Sequence, residues 1–299
     1  MSAAIPERVA MRELDPSPTR LMSDPDFRSD FVRIVQQPEP AIDLARAALL
    51  VAAESDPNVD VDGEMHQIDT WAAELRGRLE PSWNNLQKLA RLRAFVFEEL
   101  GFRGDRMDYY SPSNSLLHEV LRRRLGVPLT LGIVMLEIGW RIGIPFEGVG
   151  FPGHFLVRLP GEERDLLLDP FRRGMSVHEQ DCRRMLQEAT GGKLEFEPDL
   201  LVSVGKRAML TRLLTNLKGA YLRAGEDELA LAAVDRLLVM RPDDVEEVRD
   251  RGLLLYRLGR YSPALVCLQQ YLGARLHAKD RATIERHAKA LRQLMSSLN

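Results

Sequence analysis

The sequence is poor in cysteine and in long apolar runs. Its 299 residues include only two cysteines, Cys182 and Cys267, which form neither a CxxC pair nor a secreted disulfide pattern and so favour a reducing compartment. The longest apolar run, 129–138, is interrupted by Glu137 and is far short of the roughly 20 residues that span a bilayer. Residues 1–20 lack the apolar segment of a secretory signal. These absences predict a cytoplasmic protein without membrane spans.

Charged residues show no excess of one sign. The 41 Lys plus Arg residues oppose 44 Asp plus Glu residues, for a net charge of -3, whereas a nucleic-acid surface needs a basic excess. The six histidines show no zinc-ligand spacing. The glycine-rich stretch 148–153 lacks the Gly-Lys-Ser/Thr ending of a phosphate loop. We therefore expect no nucleic-acid partner, no metal and no other cofactor.

The residue pattern along the chain predicts three parts. The first is a polar N-terminal extension with several prolines, at 1–37. The second part, 38–200, starts with helices and continues with an apolar helix and a small antiparallel sheet. Helical spacing predicts helices near 41–53, 62–79, 83–100, 115–125 and 129–142. Strands are predicted near 146–150, 154–159 and 164–169, after the Gly-Ile-Pro that ends the last of these helices. A helix that is apolar almost all round belongs in a core, so the sequence predicts an α+β fold with a helix packed on the sheet.

The third part, 201–299, is predicted to be all helical and carries an internal repeat. Gly225 and Gly259 are 34 residues apart, as are Ala230 and Ala264. This is the period of tetratricopeptide helix-turn-helix units. About two units fit, which is too few for an independent solenoid, so we expect them to lean on the central domain.

A histidine and an aspartate in the predicted sheet form a candidate active site. His154 and Asp169 are 15 residues apart with Gly161 midway, so a tight hairpin there makes them direct cross-strand partners, with Cβ atoms about 5 Å apart. The same register pairs Val157 with Leu166, Phe155 with Leu168, and Arg158 with Asp165. An imidazole held in one tautomer by a carboxylate is the arrangement of general-base catalysis.

Several motifs, in order, resemble those of one bacterial family. They are Ala47-Ala48-Leu49-Leu50, Gly101-Phe102-Arg103-Gly104, Asn114, Arg123-Arg124-Leu125-Gly126-Val127-Pro128, Gly143-Ile144-Pro145, Gly150-Phe151-Pro152-Gly153-His154-Phe155 and Asp169-Pro170-Phe171. Over roughly residues 40–280 the chain resembles the transglutaminase-like proteins with a tetratricopeptide C-terminus, the SirB-type invasion-regulator family. The resemblance implies a papain-like core, in which a cysteine opens the central helix and a histidine and an aspartate follow on strands.

The resemblance maps the histidine onto His154 and the aspartate onto Asp169, but it finds no cysteine. Counting back from the Gly-Ile-Pro that ends the helix, the cysteine position falls on Pro128, with Leu129 and Thr130 as near alternatives. Proline and leucine have no nucleophilic atom, and an internal threonine needs a close base. These three residues therefore predict a triad scaffold whose thiol has been replaced.

Thr130 and Cys182 are the remaining candidates for the missing nucleophile. Thr130 is either a nucleophile or, more simply, a helix-capping hydroxyl. Cys182 follows Asp169, in the wrong chain order for the family's nucleophile. If neither acts, His154 and Asp169 can simply satisfy each other's polar groups.

Further candidates concern binding. Asn114 is predicted either to cap the following helix or to face the cleft. Glu119, with its neighbour His118, is most simply a solvated position on that helix. Tyr221 and Tyr256 lie in the two repeats, where helix pairs offer a surface for peptides or proteins.

The preferred interpretation is a noncatalytic or weakly active regulator or adaptor that binds a protein or peptide partner. The alternative is a papain-like hydrolase or amide-processing enzyme that uses His154 and Asp169 with Thr130 or a water molecule as nucleophile.

Overall fold

The computed structural model describes residues 26–297. From residue 26 onward, six α-helices precede the main sheet: α1 (Phe27–Val35), α2 (Leu44–Ser55), α3 (Val61–Arg76), α4 (Asn85–Arg93), α5 (Leu117–Arg123) and α6 (Pro128–Arg141). A wider π-helical stretch, Ala94–Glu99, continues α4. Most of the predicted extension lies outside the described residues. Its last part forms α1, which is packed into the core through the fully buried Phe31.

The strands form one antiparallel sheet and one short parallel pair. The pair joins β1 (Arg103–Gly104) to β2 (Leu125–Gly126). The sheet contains β3 (Glu147–Val149), β4 (Leu156–Leu159), β5 (Leu166–Asp169), β6 (Met175–Val177) and β7 (Ser203–Val204), in the order β6-β5-β4-β3-β7. One face packs on α6 and the other on α7 (Glu179–Thr190). This arrangement confirms the predicted α+β fold, a helix on an antiparallel sheet.

The hairpin between β4 and β5 differs from the predicted one. Val157 lies opposite Leu168, and Leu159 lies opposite Leu166, so the predicted register is wrong by two residues. Residues 160–165 form a longer connection because Pro160, which has no amide hydrogen, ends β4. A shift of two residues keeps every side chain on its predicted face, since strand side chains alternate with period two.

Five more helices follow as far as residue 297: α8 (Lys206–Ala224), α9 (Asp227–Met240), α10 (Val245–Arg257), α11 (Tyr261–Ala274) and α12 (Arg281–Ser297). Gly225 joins α8 to α9 and Gly259 joins α10 to α11, with left-handed φ values of 74° and 73°. Each glycine ends a helix and turns the chain back, which a side chain would hinder. The repeat in the sequence is therefore a repeat of two helix pairs, closed by α12.

The helix pairs and the central domain share one hydrophobic core. Arg236 of α9 forms an ion pair with Glu54 of α2 and donates to the Leu50 carbonyl oxygen at 3.3 Å. Burial lowers the pKa of Arg236 to about 10. Across the same joint, the hydroxyl groups of Tyr221 and Ser55 lie 2.9 Å apart. The repeats rest on the central domain through these contacts.

Strand β7 connects the sheet to the repeats. It pairs with β3, so the sheet continues past the predicted domain boundary between residues 200 and 201 and ends just before α8. The boundary itself stays a prediction. None of the helices between residues 26 and 297 is long and apolar enough to cross a membrane.

Candidate functional site

His154 and Asp169 are in contact at the end of the sheet. His154 Nε2 lies 2.9 Å from Asp169 Oδ1, and the same oxygen accepts hydrogen bonds from the amides of Phe171 at 2.9 Å and Arg172 at 3.3 Å. The Asp169 side chain is 0% exposed, whereas that of His154 is 17% exposed. The aspartate thus fixes the imidazole and begins the short helical turn Pro170–Arg172, and His154 Nδ1 is left as the second ring nitrogen.

The loop before His154 is held by its neighbours. Gly153 has a left-handed φ of 69°, and a Cβ atom there would lie 2.4 Å from the side chain of Ala189 on α7, so only glycine fits. The His154 amide and the Arg212 guanidinium of α8 both donate to the Phe151 carbonyl oxygen at 3.0 Å. Both α7 and α8 therefore position the histidine.

His154 opens into a cleft of about 570 Å³. The cleft is lined by Arg106, Tyr109, Tyr110, Gly153, His154, Asp169, Phe171, Arg172, Arg184, Met185, Glu188 and Ala189. The Tyr109 ring meets the Phe171 ring edge to face at 5.8 Å, and burial raises the pKa of Tyr109. None of the lining residues described belongs to α6. The walls are the 105–110 loop, the sheet end and α7.

The start of α6 is closed. Pro128 and Leu129 are buried, and Thr130 is 0% exposed. Thr130 Oγ1 donates to the Asn114 carbonyl oxygen at 2.7 Å and accepts from the Val127 amide at 3.2 Å. The hydroxyl hydrogen is used by this backbone oxygen, and no hydrogen bond joins Thr130 to His154 in the described chain.

Asn114 is placed differently from both predictions. Helix α5 begins at Leu117 without a side-chain cap, and Asn114 ends the preceding 3-10 turn, so the prediction that it caps this helix is wrong. The Asn114 side chain is 0% exposed and does not line the cleft. Its Nδ2 donates to the Asp108 carbonyl oxygen at 2.6 Å, and its Oδ1 accepts from Arg123 at 3.2 Å. Asn114 therefore secures the loop that carries the two cleft tyrosines.

His118 and Glu119 lie away from the cleft. His118 is only 9% exposed, so the prediction of a solvated position is wrong for it, because α5 packs this face toward α2. Burial lowers the pKa of His118, and its Nδ1 is buried without a hydrogen-bond partner. The Glu119 side chain is 18% exposed and accepts two hydrogen bonds of 2.7 Å from Arg122.

The two repeat tyrosines occupy different settings. Tyr221 is 3% exposed and faces the joint with α2, where burial raises its pKa. Tyr256 is half-buried between α10 and its neighbours, with its ring 5.4 Å from that of His287 and 6.2 Å from that of Tyr261. Of these two tyrosines, Tyr256 alone keeps a partly exposed side chain on the repeats.

Neither cysteine lines the cleft. Cys182 is 0% exposed in an apolar cluster between α7 and the sheet, and burial raises its pKa to about 11. Cys267 is 5% exposed, with its sulfur 3.3 Å from the Arg251 guanidinium. Between residues 26 and 297, no three His, Cys, Asp or Glu side chains are grouped to hold a metal ion.

The sequence did not identify most of the cleft wall. Phe171 belongs to the Asp169-Pro170-Phe171 motif, and Tyr109 lies between the Gly101-Phe102-Arg103-Gly104 motif and Asn114. Nothing in their spacing placed the two rings together. Arg106 lies in the loop after Gly104, Arg172 ends the short helical turn that follows Asp169, and Met185 comes from α7. Proximity to the motifs was the one available signal.

Known proteins resemble this chain along most of its length. A model of the transglutaminase-like superfamily matches residues 64–215, and a tetratricopeptide repeat model matches residues 217–295. A UPF0162 protein of Xylella fastidiosa (strain Temecula1) is 35% identical over 232 residues, which cover 77% of this chain and 83% of that protein. A UPF0162 protein of Vibrio cholerae is 35% identical over 187 residues, covering 61% and 69%.

A eukaryotic protein shares a similar region. F-box only protein 21 of Mus musculus is 30% identical over 194 residues, which cover 61% of this chain but 30% of that protein. No solved structure matches the chain significantly. The predicted combination of a transglutaminase-like domain and tetratricopeptide helices is confirmed by these comparisons.

Proposed function

This chain belongs to the UPF0162 proteins of the transglutaminase-like superfamily, and on that premise we propose that it is a noncatalytic or weakly active adaptor or regulator that binds a protein partner. The start of α6 carries the proposal. The position that the motifs assign to the family's cysteine holds the buried Pro128, and the neighbouring Thr130 hydroxyl is bonded to backbone. A buried thiol at Cys182, with its raised pKa, is a poor replacement nucleophile.

The repeats support the partner-binding half of the proposal. Paired helices of this kind stack into extended surfaces that bind other proteins. Their joint with the central domain, through Tyr221 and Arg236, fixes those surfaces relative to the cleft. A cytoplasmic location and a regulatory role like that of the SirB-type proteins complete the proposal, the role by analogy between families.

A second candidate function is hydrolysis of an amide or ester by an activated water. The observation that favours it is the His154–Asp169 pair, 2.9 Å apart and open to the cleft. In that scheme His154 takes a proton from water and Asp169 holds the imidazole. Thr130 is the weaker nucleophile here because its hydrogen is already donated.

Turnover separates the two functions. We expect the full chain to show no release of product from amide, ester and peptide libraries beyond that of the His154→Ala variant. Both proteins need matching thermal unfolding curves for the comparison to count. Turnover by the wild type that His154→Ala abolishes would establish the hydrolase and reject the noncatalytic adaptor.

Partner binding needs its own test. We expect the full chain to retain a protein from the cytoplasm of its own source, and a Leu222→Ser variant to retain less of it. Leu222 is 38% exposed on α8, the first helix of its pair. Val266→Ser is the matched control, since Val266 is 63% exposed on α11, the second helix of the other pair. Equal retention by all three proteins would argue against binding through α8.

A further inference from the structure

Three arginines beside the cleft form no direct ion pair with a carboxylate. Arg106 and Arg172 line the cleft, and Arg223 of α8 lies in a hollow next to it. Across the described part of the chain, 26–297, none of the three forms an ion pair, although arginines elsewhere on the surface commonly do so. Arg172 is close enough to Asp181 for a Coulombic attraction, but no carboxylate pairs directly with it. A chain with a net charge of -3 therefore presents locally positive charge that is only partly compensated.

The cleft continues toward the repeats. The neighbouring hollow, of about 90 Å³, shares Tyr109 and Tyr110 with the cleft and is also lined by Asn216, Ala220 and Arg223 of α8. The Arg223 guanidinium lies 4.6 Å from the centroid of the Tyr110 ring. One groove thus runs from His154, past the two tyrosines, to the first helix of the repeats.

The groove also offers apolar surface at fixed positions. Tyr110 is 65% exposed, and its ring meets that of Tyr109 edge to face at 5.2 Å. The loop that carries both tyrosines is fixed by Asp105, whose Oδ1 accepts from the Met107 and Asp108 amides at 3.1 Å. Rigid aromatic walls lose little conformational entropy when a ligand side chain packs on them.

The carboxylates around the groove leave a positive excess. One oxygen of Asp169, Oδ1, accepts from His154 and two amides, while its Oδ2 is buried without a hydrogen-bond partner. Asp181 pairs with Arg184 at 2.5 Å. Glu188 of α7 is the remaining acidic residue of the cleft wall. A ligand that brings carboxylates would complement the arginines, whereas a basic ligand would meet like charge.

We propose that an acidic segment of a partner protein occupies this groove. Its carboxylates contact Arg106, Arg172 and Arg223, and an apolar side chain packs against Tyr109 and Phe171. The inference rests on the proposed adaptor function and names the chemistry of its partner. Arginine with aromatic rings also suits single-stranded nucleic acid, but the overall negative charge opposes a long polyanion outside the groove.

The test uses the full chain and a labelled peptide of alternating glutamate and leucine, followed by fluorescence anisotropy. We expect this peptide to bind more tightly than its glutamine and leucine counterpart. Replacing all three groove arginines, by Arg106→Gln, Arg172→Gln and Arg223→Gln, should raise the Kd roughly tenfold, the sum of three exposed charge pairs.

A matched variant removes the same charge elsewhere. Arg164, Arg286 and Arg292 are exposed, lie away from the groove and form no ion pairs within residues 26–297. Changing these three to Gln should leave the Kd within about twofold, because salt screens distant charges. Thermal unfolding curves of both triple variants check that each is folded.

Several results would overturn the inference. Equal affinity for the glutamate and glutamine peptides is one, and equal loss in both triple variants is another. Tighter binding of a labelled oligothymidylate than of the acidic peptide would assign the groove to nucleic acid. A partner that is retained by the groove variant but lost by Leu222→Ser would leave the adaptor function standing and reject this groove as its site.

Discussion

The polar side chains of the cleft and those at the start of α6 differ in exposure and in hydrogen bonding. In the cleft, His154 uses one ring nitrogen on Asp169 and keeps 17% of its side chain exposed. At the start of α6, Thr130 and Asn114 are fully buried, and both bond to backbone. In the cleft, the second ring nitrogen of His154 can still bind a ligand. At the start of α6, the polar groups of Thr130 and Asn114 are hydrogen-bonded within the protein and stabilise the fold. A nucleophile and a base would both need the first kind of setting.

Removing the Asp169 carboxylate should have the largest effect on this contrast. Asp169→Ala removes a fully buried carboxylate and leaves His154 Nε2 and the Phe171 and Arg172 amides without their acceptor. We expect the free energy of unfolding to fall by about 3 kcal/mol. Urea unfolding followed by circular dichroism measures the change.

Asp169→Asn is the control, because the amide oxygen can still accept two of these bonds while the charge is lost. We expect it to lose clearly less stability than Asp169→Ala. A loss below about 1 kcal/mol in the free energy of unfolding of Asp169→Ala would mean that the fold does not depend on this carboxylate. The carboxylate would then be available for catalysis in the cleft.

Thr130→Val tests the closed region. The valine keeps the shape but removes the donor to the Asn114 carbonyl oxygen and the acceptor for the Val127 amide. We expect a loss of about 1–2 kcal/mol in the free energy of unfolding, again from urea titration. Thr130→Ser keeps the hydroxyl and should retain most of the stability. Unchanged stability together with a loss of turnover would instead favour Thr130 as a nucleophile.

The sequence predicted the parts of the fold that depend on local pattern. The apolar run at 129–142 predicted α6, and the 34-residue spacing of Gly225 and Gly259 predicted the two helix pairs. The contact between His154 and Asp169 was also predicted, although from a register that is wrong by two residues. The contact survived because a two-residue shift preserves the face of the strand.

Other features depend on tertiary packing and were not predictable from pattern. Burial of His118 follows from how α5 lies against α2, which no spacing within α5 reveals. Tyr221 was predicted to be a binding residue, yet its hydroxyl lies against Ser55 in the joint. The groove arginines Arg106 and Arg172 come from a loop and a single short turn, where sequence carries little geometric information.

Pro128→Cys tests whether a thiol at the family's cysteine position would be accessible. We expect a folded protein, less than about 1 kcal/mol from the wild type, whose new thiol reacts slowly with iodoacetamide because residue 128 is buried. Met107→Cys is the matched control, since Met107 is 97% exposed and a thiol there should react quickly. Fast alkylation at residue 128, or amide turnover that a second His154→Ala change abolishes, would show that the two regions can work together.

The smallest expected effect comes from His118, the buried counterpart of His154. Burial holds the pKa of His118 below its ordinary 6.5, against the opposing pull of Glu119 and Asp56. Below pH 6.5 the unfolded chain therefore binds this proton more readily than the folded one. Its contribution to stability is complete above pH 6.5 and is lost as the pH falls through the lowered pKa. Urea unfolding of the wild type and of His118→Leu across this window measures it, and identical pH slopes in the two proteins would contradict the assignment.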